Sequence, residues 1–130
     1  TPETRLSTRP KGVDPSIRIV VYGGHPLNGT FRPSGNSNAA LALIAASLLT
    51  DAPVTLRGVP DTSTTALMLD AARALGAEVT QEDVHRLVTP ALHTRSLGPE
   101  ITDGQVGAVM LLAPILARRR HARLETTYPL

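Results

Sequence analysis

Apolar residues in this chain fall into short blocks separated by polar and glycine or proline punctuation, and the blocks alternate between strand-like and helix-like spacing. Ile17-Arg18-Ile19-Val20-Val21-Tyr22 is rich in β-branched residues and is closed by Gly23-Gly24, as a first strand would be. After a turn at Pro26 to Gly29, a short strand is predicted near Thr30 to Pro33. Asn38 to Leu49 then reads as a helix whose many alanines let it lie close against a sheet, with Asp51-Ala52-Pro53 ending it. Val54 to Arg57 is a strand, and Asp61-Thr62-Ser63-Thr64 offers capping side chains for a second helix that stops at Leu75-Gly76. Leu67, Ala71, Ala74 and Leu75 share a face of that helix, spaced for burial. Glu78 to Thr80 and His85 to Val88 read as paired strands around a charged turn at Gln81 to Asp83. A third helix is predicted from Asp103 or Gly104 through Val106 to Ala117, apolar on nearly all sides and therefore buried, followed by a strand over His121 to Thr127.

The order from residue 17 onward is strand, helix, strand, helix, strand, strand. The fold class is α/β, one βαβαββ unit and the start of another. Residues 1–16 carry no apolar period and read as a flexible N-terminal extension, leaving one domain over 17–130.

Composition narrows this picture. The chain has 130 residues, one domain's worth, and its core must be aliphatic, because 42% of residues are hydrophobic and only 2% aromatic. There is no Cys, which removes disulfides, thiolate metal sites and a cysteine nucleophile. No run approaches the roughly 18 apolar residues a membrane span needs, so a cytoplasmic protein is the expectation. The net charge of +2 is too small to argue for a nucleic-acid partner, and Tyr22, Phe31 and Tyr128 are the whole supply of stacking aromatics. Basic character is local, in Arg118-Arg119-Arg120-His121-Ala122-Arg123, and reads as a solvated helix end favoured by the helix dipole. His25, His85, His93 and His121 lack metal-ligand spacing, so neither a metal nor a cofactor is predicted.

The turn Ser34-Gly35-Asn36-Ser37-Asn38, running directly into an Ala/Leu helix, puts uncovered backbone N–H groups and a positive dipole end where an anion can sit; the same residues also serve as plain helix caps. With Gly29-Thr30-Phe31-Arg32-Pro33 before it and Leu56-Arg57-Gly58-Val59-Pro60-Asp61 after it, this segment resembles the N-terminal part of the enolpyruvyl transferases. The branch that acts on a nucleotide sugar is the closer match, and the similarity runs from about Ile17 onward. The resemblance implies a partial inside-out α/β barrel domain built from βαβαββ repeats around buried helices. It also implies transfer of enolpyruvate from phosphoenolpyruvate to a nucleotide or nucleotide-sugar hydroxyl, UDP-N-acetylglucosamine in the closer branch.

Residue by residue, the resemblance assigns substrate binding to Asn38 and to Ser37, the latter standing where the family carries a lysine that meets phosphoenolpyruvate. A second family cation, an arginine, falls on Val106 when counted back without gaps from Ala113-Pro114-Ile115-Leu116-Ala117-Arg118. Arg118 matches a family arginine and reads as structural, and Asp61 reads as a cap of the second helix. No catalytic residue is assigned, since the family's catalytic loop would follow Tyr128-Pro129-Leu130; the chain is expected to be a fragment of a family member. Losing a cation opposite a phosphate costs several kcal/mol. Two readings stay open: part of an enolpyruvyl transferase relative, or a catalytically inactive relative kept for binding or assembly. A partial repeat leaves helix faces and strand edges uncovered, so self-association or a completing second chain is expected.

Overall fold

A computed structural model describes residues 18–127; the predicted extension at 1–16 and the start of the first strand at Ile17 lie outside them. The chain divides into two units, residues 1–32 and 33–130. In the first, no helix or strand forms over 18–32, and Ile19, Val21, Tyr22, Leu27 and Phe31 are exposed. The strands predicted at 17–22 and 30–33 are therefore absent over the described residues. β-branched composition yields a strand only when a ladder partner and a packed face accompany it.

The second unit holds the rest of the predicted order: α1 (Ser37–Ser47), β1 (Val54–Leu56), α2 (Ser63–Leu75), β2 (Glu78–Gln81), β3 (His85–Val88), β4 (Ser96–Leu97), α3 (Pro99–Thr102), a 3₁₀ segment (Val106–Leu111), α4 (Leu112–Arg119) and β5 (Arg123–Leu124). β3 lies between β1 and β2, antiparallel to both, with Leu87 opposite Val54 and Val79. The alternation along β3 follows from this: Leu87 is buried while Arg86 is exposed. β4 and β5 form a separate parallel pair. The core gathers Ile44 of α1 and Leu48 just after it, Met68 and Leu75 of α2, and Leu87, Leu97, Leu111 and Ile115, all completely buried.

Three predicted features are displaced. On α2 the buried face is Thr65, Met68, Leu69, Ala71, Ala72 and Leu75, so Ala71 and Leu75 point inward as predicted while Leu67 and Ala74 are exposed. The cause is Thr65, whose hydroxyl donates to the Pro60 carbonyl at 2.6 Å and so enters the core, hiding the true stripe from a hydrophobicity pattern. Asp61 does not cap α2. Thr62 does, sharing a capping box with Thr65.

The single buried helix predicted over 106–117 is broken into the 3₁₀ segment and α4, with Val109, Met110 and Leu116 partly exposed. Pro114 accounts for the break. It has no N–H to give residue 110, so a continuous α-helix would lose a hydrogen bond there, whereas in the first turn of a new helix starting at Leu112 that N–H is not needed. The last predicted strand shortens to Arg123–Leu124.

Thr89, just after β3, is completely buried, and its Oγ1 has no hydrogen-bond partner among the described residues. Removing an orphaned hydroxyl at constant shape relieves a desolvation penalty. Thr89→Val is therefore expected to stabilise the fold by about 1 kcal/mol, read as a higher urea midpoint at unchanged slope.

Candidate functional site at the start of the first helix

The α1 start is set by Asn36, not by Asn38. Asn36 is extended, and its Oδ1 accepts the Ala39 N–H at 3.0 Å while its carbonyl accepts the Ala40 N–H at 3.0 Å. That leaves the backbone N–H groups of Ser37 and Asn38, the first two helical residues, without intrahelical acceptors. Ser37 is half-buried and Asn38 is exposed, and neither side chain makes a hydrogen bond among the described residues. Two N–H groups, one hydroxyl and one amide thus converge at the positive end of an 11-residue helix.

Two close approaches fix the surroundings of this turn. A Cβ on Gly35 would collide with the Gly58 carbonyl and sit 3.6 Å from Pro60 Cδ, so the turn is seated directly against the loop between β1 and α2. Only glycine permits that contact. At Gly107 a Cβ would stand 3.0 Å from Leu41 Cδ1, which puts the beginning of the 3₁₀ segment on α1 one turn in from Ser37, on the same helix face. Arg57 immediately precedes Gly58; it is exposed and has no ion-pair partner among the described residues.

Further along the same loop, a cavity of about 330 Å³ is lined by residues that include Val59, Pro60, Asp61, Thr65, Gln81 and His85. Its lining holds a carboxylate and no Arg or Lys, so it does not suit a phosphate.

The basic run lies elsewhere. The Arg118 guanidinium donates to the carbonyls of Thr89 (2.8 Å), Pro90 (3.0 Å), Leu48 (3.1 Å) and Thr50 (3.5 Å). Leu48 is the C-cap of α1, so Arg118 sits at the opposite end of that helix from Ser37, about 16 Å away at about 1.5 Å per residue. Its structural reading is correct. Arg123 pairs with Glu125 at 3.0 Å. Arg118 therefore supplies no cation to the α1 start. Among the described residues no three His, Asp, Glu or Cys side chains converge as metal ligands, and no helix is long and apolar enough to cross a membrane.

Residues 21–127 match the family model described as EPSP synthase (3-phosphoshikimate 1-carboxyvinyltransferase). The chain belongs to the EPSP synthase family. A family relative from Bradyrhizobium diazoefficiens, UDP-N-acetylglucosamine 1-carboxyvinyltransferase, is 38% identical over 104 residues, covering 78% of this chain and 24% of its own length. The protein of the same name from Treponema pallidum is 41% identical over 106 residues, covering 80% and 25%. The crystal structure of the enolpyruvyl transferase NikO from Streptomyces tendae is similar at a TM-score of 0.66 and 26% identity, over 75% of this chain and 23% of that one. The chain spans about a quarter of the length of the curated EPSP synthase family relatives it matches.

The α/β fold is thus a part of the enolpyruvyl transferase fold. Sequence reasoning missed Asn36 as the cap and the seating of Gly35 on Gly58. A signal for the first was present, because Asn36 stands three residues before Ala39, the spacing of a capping side chain and its N–H.

Proposed function

We propose that this chain carries the first-helix portion of an enolpyruvyl transferase substrate site, and that its α1 start binds an anionic group of phosphoenolpyruvate without turning it over. The observation that carries this reading is the pair of unclaimed N–H groups at Ser37 and Asn38, flanked by a free Ser37 hydroxyl and Asn38 amide.

Enolpyruvyl transfer adds a hydroxyl to the vinyl carbon of phosphoenolpyruvate, with a proton delivered to its methylene carbon, and then expels phosphate. It needs a proton donor and cations around the phosphate and carboxylate. Here the helix N–H groups and dipole meet the anion, the Asn38 amide orients it, and Arg57 contributes charge from the neighbouring loop. Ser37 gives one neutral hydrogen bond where the family places a lysine. The acceptor is a nucleotide or nucleotide sugar such as UDP-N-acetylglucosamine, and the setting is cytoplasmic, where phosphoenolpyruvate is found.

Calorimetric titration with phosphoenolpyruvate and, separately, UDP-N-acetylglucosamine tests the proposal. Phosphoenolpyruvate should bind in the millimolar range or tighter, and Asn38→Ala should weaken it about fivefold, the worth of one hydrogen bond of about 1 kcal/mol. Absence of binding to the wild-type chain at millimolar ligand would overturn it.

The second reading, a binding or assembly subunit that associates with itself or a second chain, is favoured by a specific feature of α1. Ala39, Ala42, Leu43 and Ala46 are all exposed on the helix, with Leu49 just beyond it, and none is polar. A helix apolar on its outer face as well as its inner one has the pattern of a covered helix. Sedimentation equilibrium is expected to give a dimer or larger species at micromolar concentration, shifted to monomer by Leu43→Glu. A wild-type monomer at that concentration would count against it.

A further inference from the structure

We propose that the cavity lined by the β1–α2 loop, α2 and the strands β2 and β3 is a binding site for a small hydroxylated amine, held by Asp61, Gln81 and His85; the proposal does not rest on the α1 start.

The register of the sheet places two of these residues where apolar ones belong. Val54, Leu87 and Val79 stand in one row across β1, β3 and β2, and the next row on the same face is Leu56, His85 and Gln81. Side chains two apart on a strand share a face, so His85 lies on the face of Leu87, and Gln81 on that of Val79. That face is the inner one, because Leu56 and Leu87 belong to the core and Val54 and Val79 pack against it. The apolar face therefore ends in an imidazole and an amide, and both line the cavity of about 330 Å³. Small-molecule sites span about 300–1,000 Å³, which places this one at the lower end.

The protein itself does not use these polar groups. Asp61, Gln81 and His85 make no side-chain hydrogen bond or ion pair among the described residues, although His85 is half-buried. A row needed only for packing is better served by Val or Leu, which bring no polar atoms to desolvate. The wall carrying Asp61 is also fixed in advance. Asp61 is the middle of a three-residue turn closed by the Thr62 N–H donating to the Pro60 carbonyl at 3.1 Å, and the Thr65 hydroxyl donates to the same oxygen at 2.6 Å.

The lining selects the ligand. It holds a carboxylate and no Arg or Lys, so it disfavours anions and offers an ammonium charge-assisted hydrogen bonds. Gln81 presents a carbonyl and an NH₂ group, and His85 a ring N–H and a bare ring nitrogen, a set matched by hydroxyls, which both donate and accept. Val59, Pro60 and Leu69 give the carbon skeleton apolar contact.

The test is a ¹H–¹⁵N titration of the full chain with aminopropanediol, glycerol and glycerate, which share a three-carbon skeleton and differ at one end. Aminopropanediol should displace the Asp61, Gln81 and His85 signals, the Gln81 side-chain amide included, saturably at millimolar concentration, and the other two should not. Asp61→Asn should weaken the amine roughly tenfold, the worth of one hydrogen bond to a charged group. His85→Val, which continues the apolar row, should lose the amine shifts while its urea midpoint stays level or rises. The proposal fails if glycerol or glycerate displaces these signals as strongly as the amine, if Asp61→Asn binds like wild type, or if no compound saturates by tens of millimolar. A lower midpoint with the shifts retained in His85→Val would make the imidazole structural and overturn its role. Should His85→Val not fold, Asp61→Asn decides alone, since Asp61 is exposed and has no side-chain hydrogen bond to lose among the described residues. Phosphoenolpyruvate plays no part in the readout, so failure here and failure of the α1 site are separate results.

Discussion

Gly35→Ala is expected to be among the most damaging single-methyl additions to this fold, lowering stability by about 3 kcal/mol, the upper end of the range for overpacking. A Cβ at this position runs into the Gly58 carbonyl, and both partners are backbone, so no side-chain rotamer can relieve the overlap. Either the turn before α1 must lift or the loop after β1 must give way. The loop is held on its far side by Thr62 and Thr65, whose capping box and bond to the Pro60 carbonyl tie it to α2, so the turn is the part that moves. Two readouts follow. The urea midpoint should fall at nearly unchanged slope, and phosphoenolpyruvate affinity should fall in the fraction that stays folded, because Ser37 and Asn38 lie two and three residues after Gly35, just beyond the Asn36 cap. A variant as stable as wild type would mean that the Gly58 carbonyl can swing aside, and the close seating of the turn would lose its role.

How far the sequence discloses this fold depends on which forces set each element. α1, β1, α2 and the β2–β3 pair were legible because local signals agree: an Ala/Leu run ended by Asp51-Ala52-Pro53, a Thr/Ser cap, a Gly76 stop and a charged turn. The helix stop is sharp because Gly76 adopts φ 120° and a Cβ there would meet the Ala91 carbonyl. Elements that depend on distant partners were not legible. The β4–β5 pair joins residues 96–97 to 123–124, too short for any periodic signal and created only by a long-range register. Ile19 to Tyr22 has strand composition, but no strand forms there among the described residues, because composition alone does not supply a ladder. The candidate site divides along the same line. Ser37 and Asn38 were assigned by resemblance to a motif, and both lie in the first turn of α1. The cap at Asn36 and the remoteness of Arg118 from the turn needed coordinates, since a cationic run in sequence does not disclose which end of a helix it meets.

Restoring a cation at the turn has the largest expected functional effect. Ser37→Lys should tighten phosphoenolpyruvate binding by roughly 10- to 100-fold, since hydrogen bonds to charged groups contribute about 1.5–3 kcal/mol against about 1 for a neutral one. Ser37 is half-buried at the first helical position, beside the two free N–H groups, so an ammonium there shares the ligand with donors already aligned. The same substitution opposes the α1 dipole, and its unliganded fold should lose about 0.3–1 kcal/mol. The two effects carry opposite signs and are separable. A thermal scan without ligand should show a lower midpoint than wild type, and one at saturating phosphoenolpyruvate a higher midpoint. Ser37→Met, of similar length and no charge, should gain no affinity, and the gain in Ser37→Lys should shrink as salt is raised. A lysine that tightens nothing, in a chain whose turn is otherwise intact, would mean that the anion does not sit at α1 and that the unclaimed N–H groups are simply a hydrated helix end.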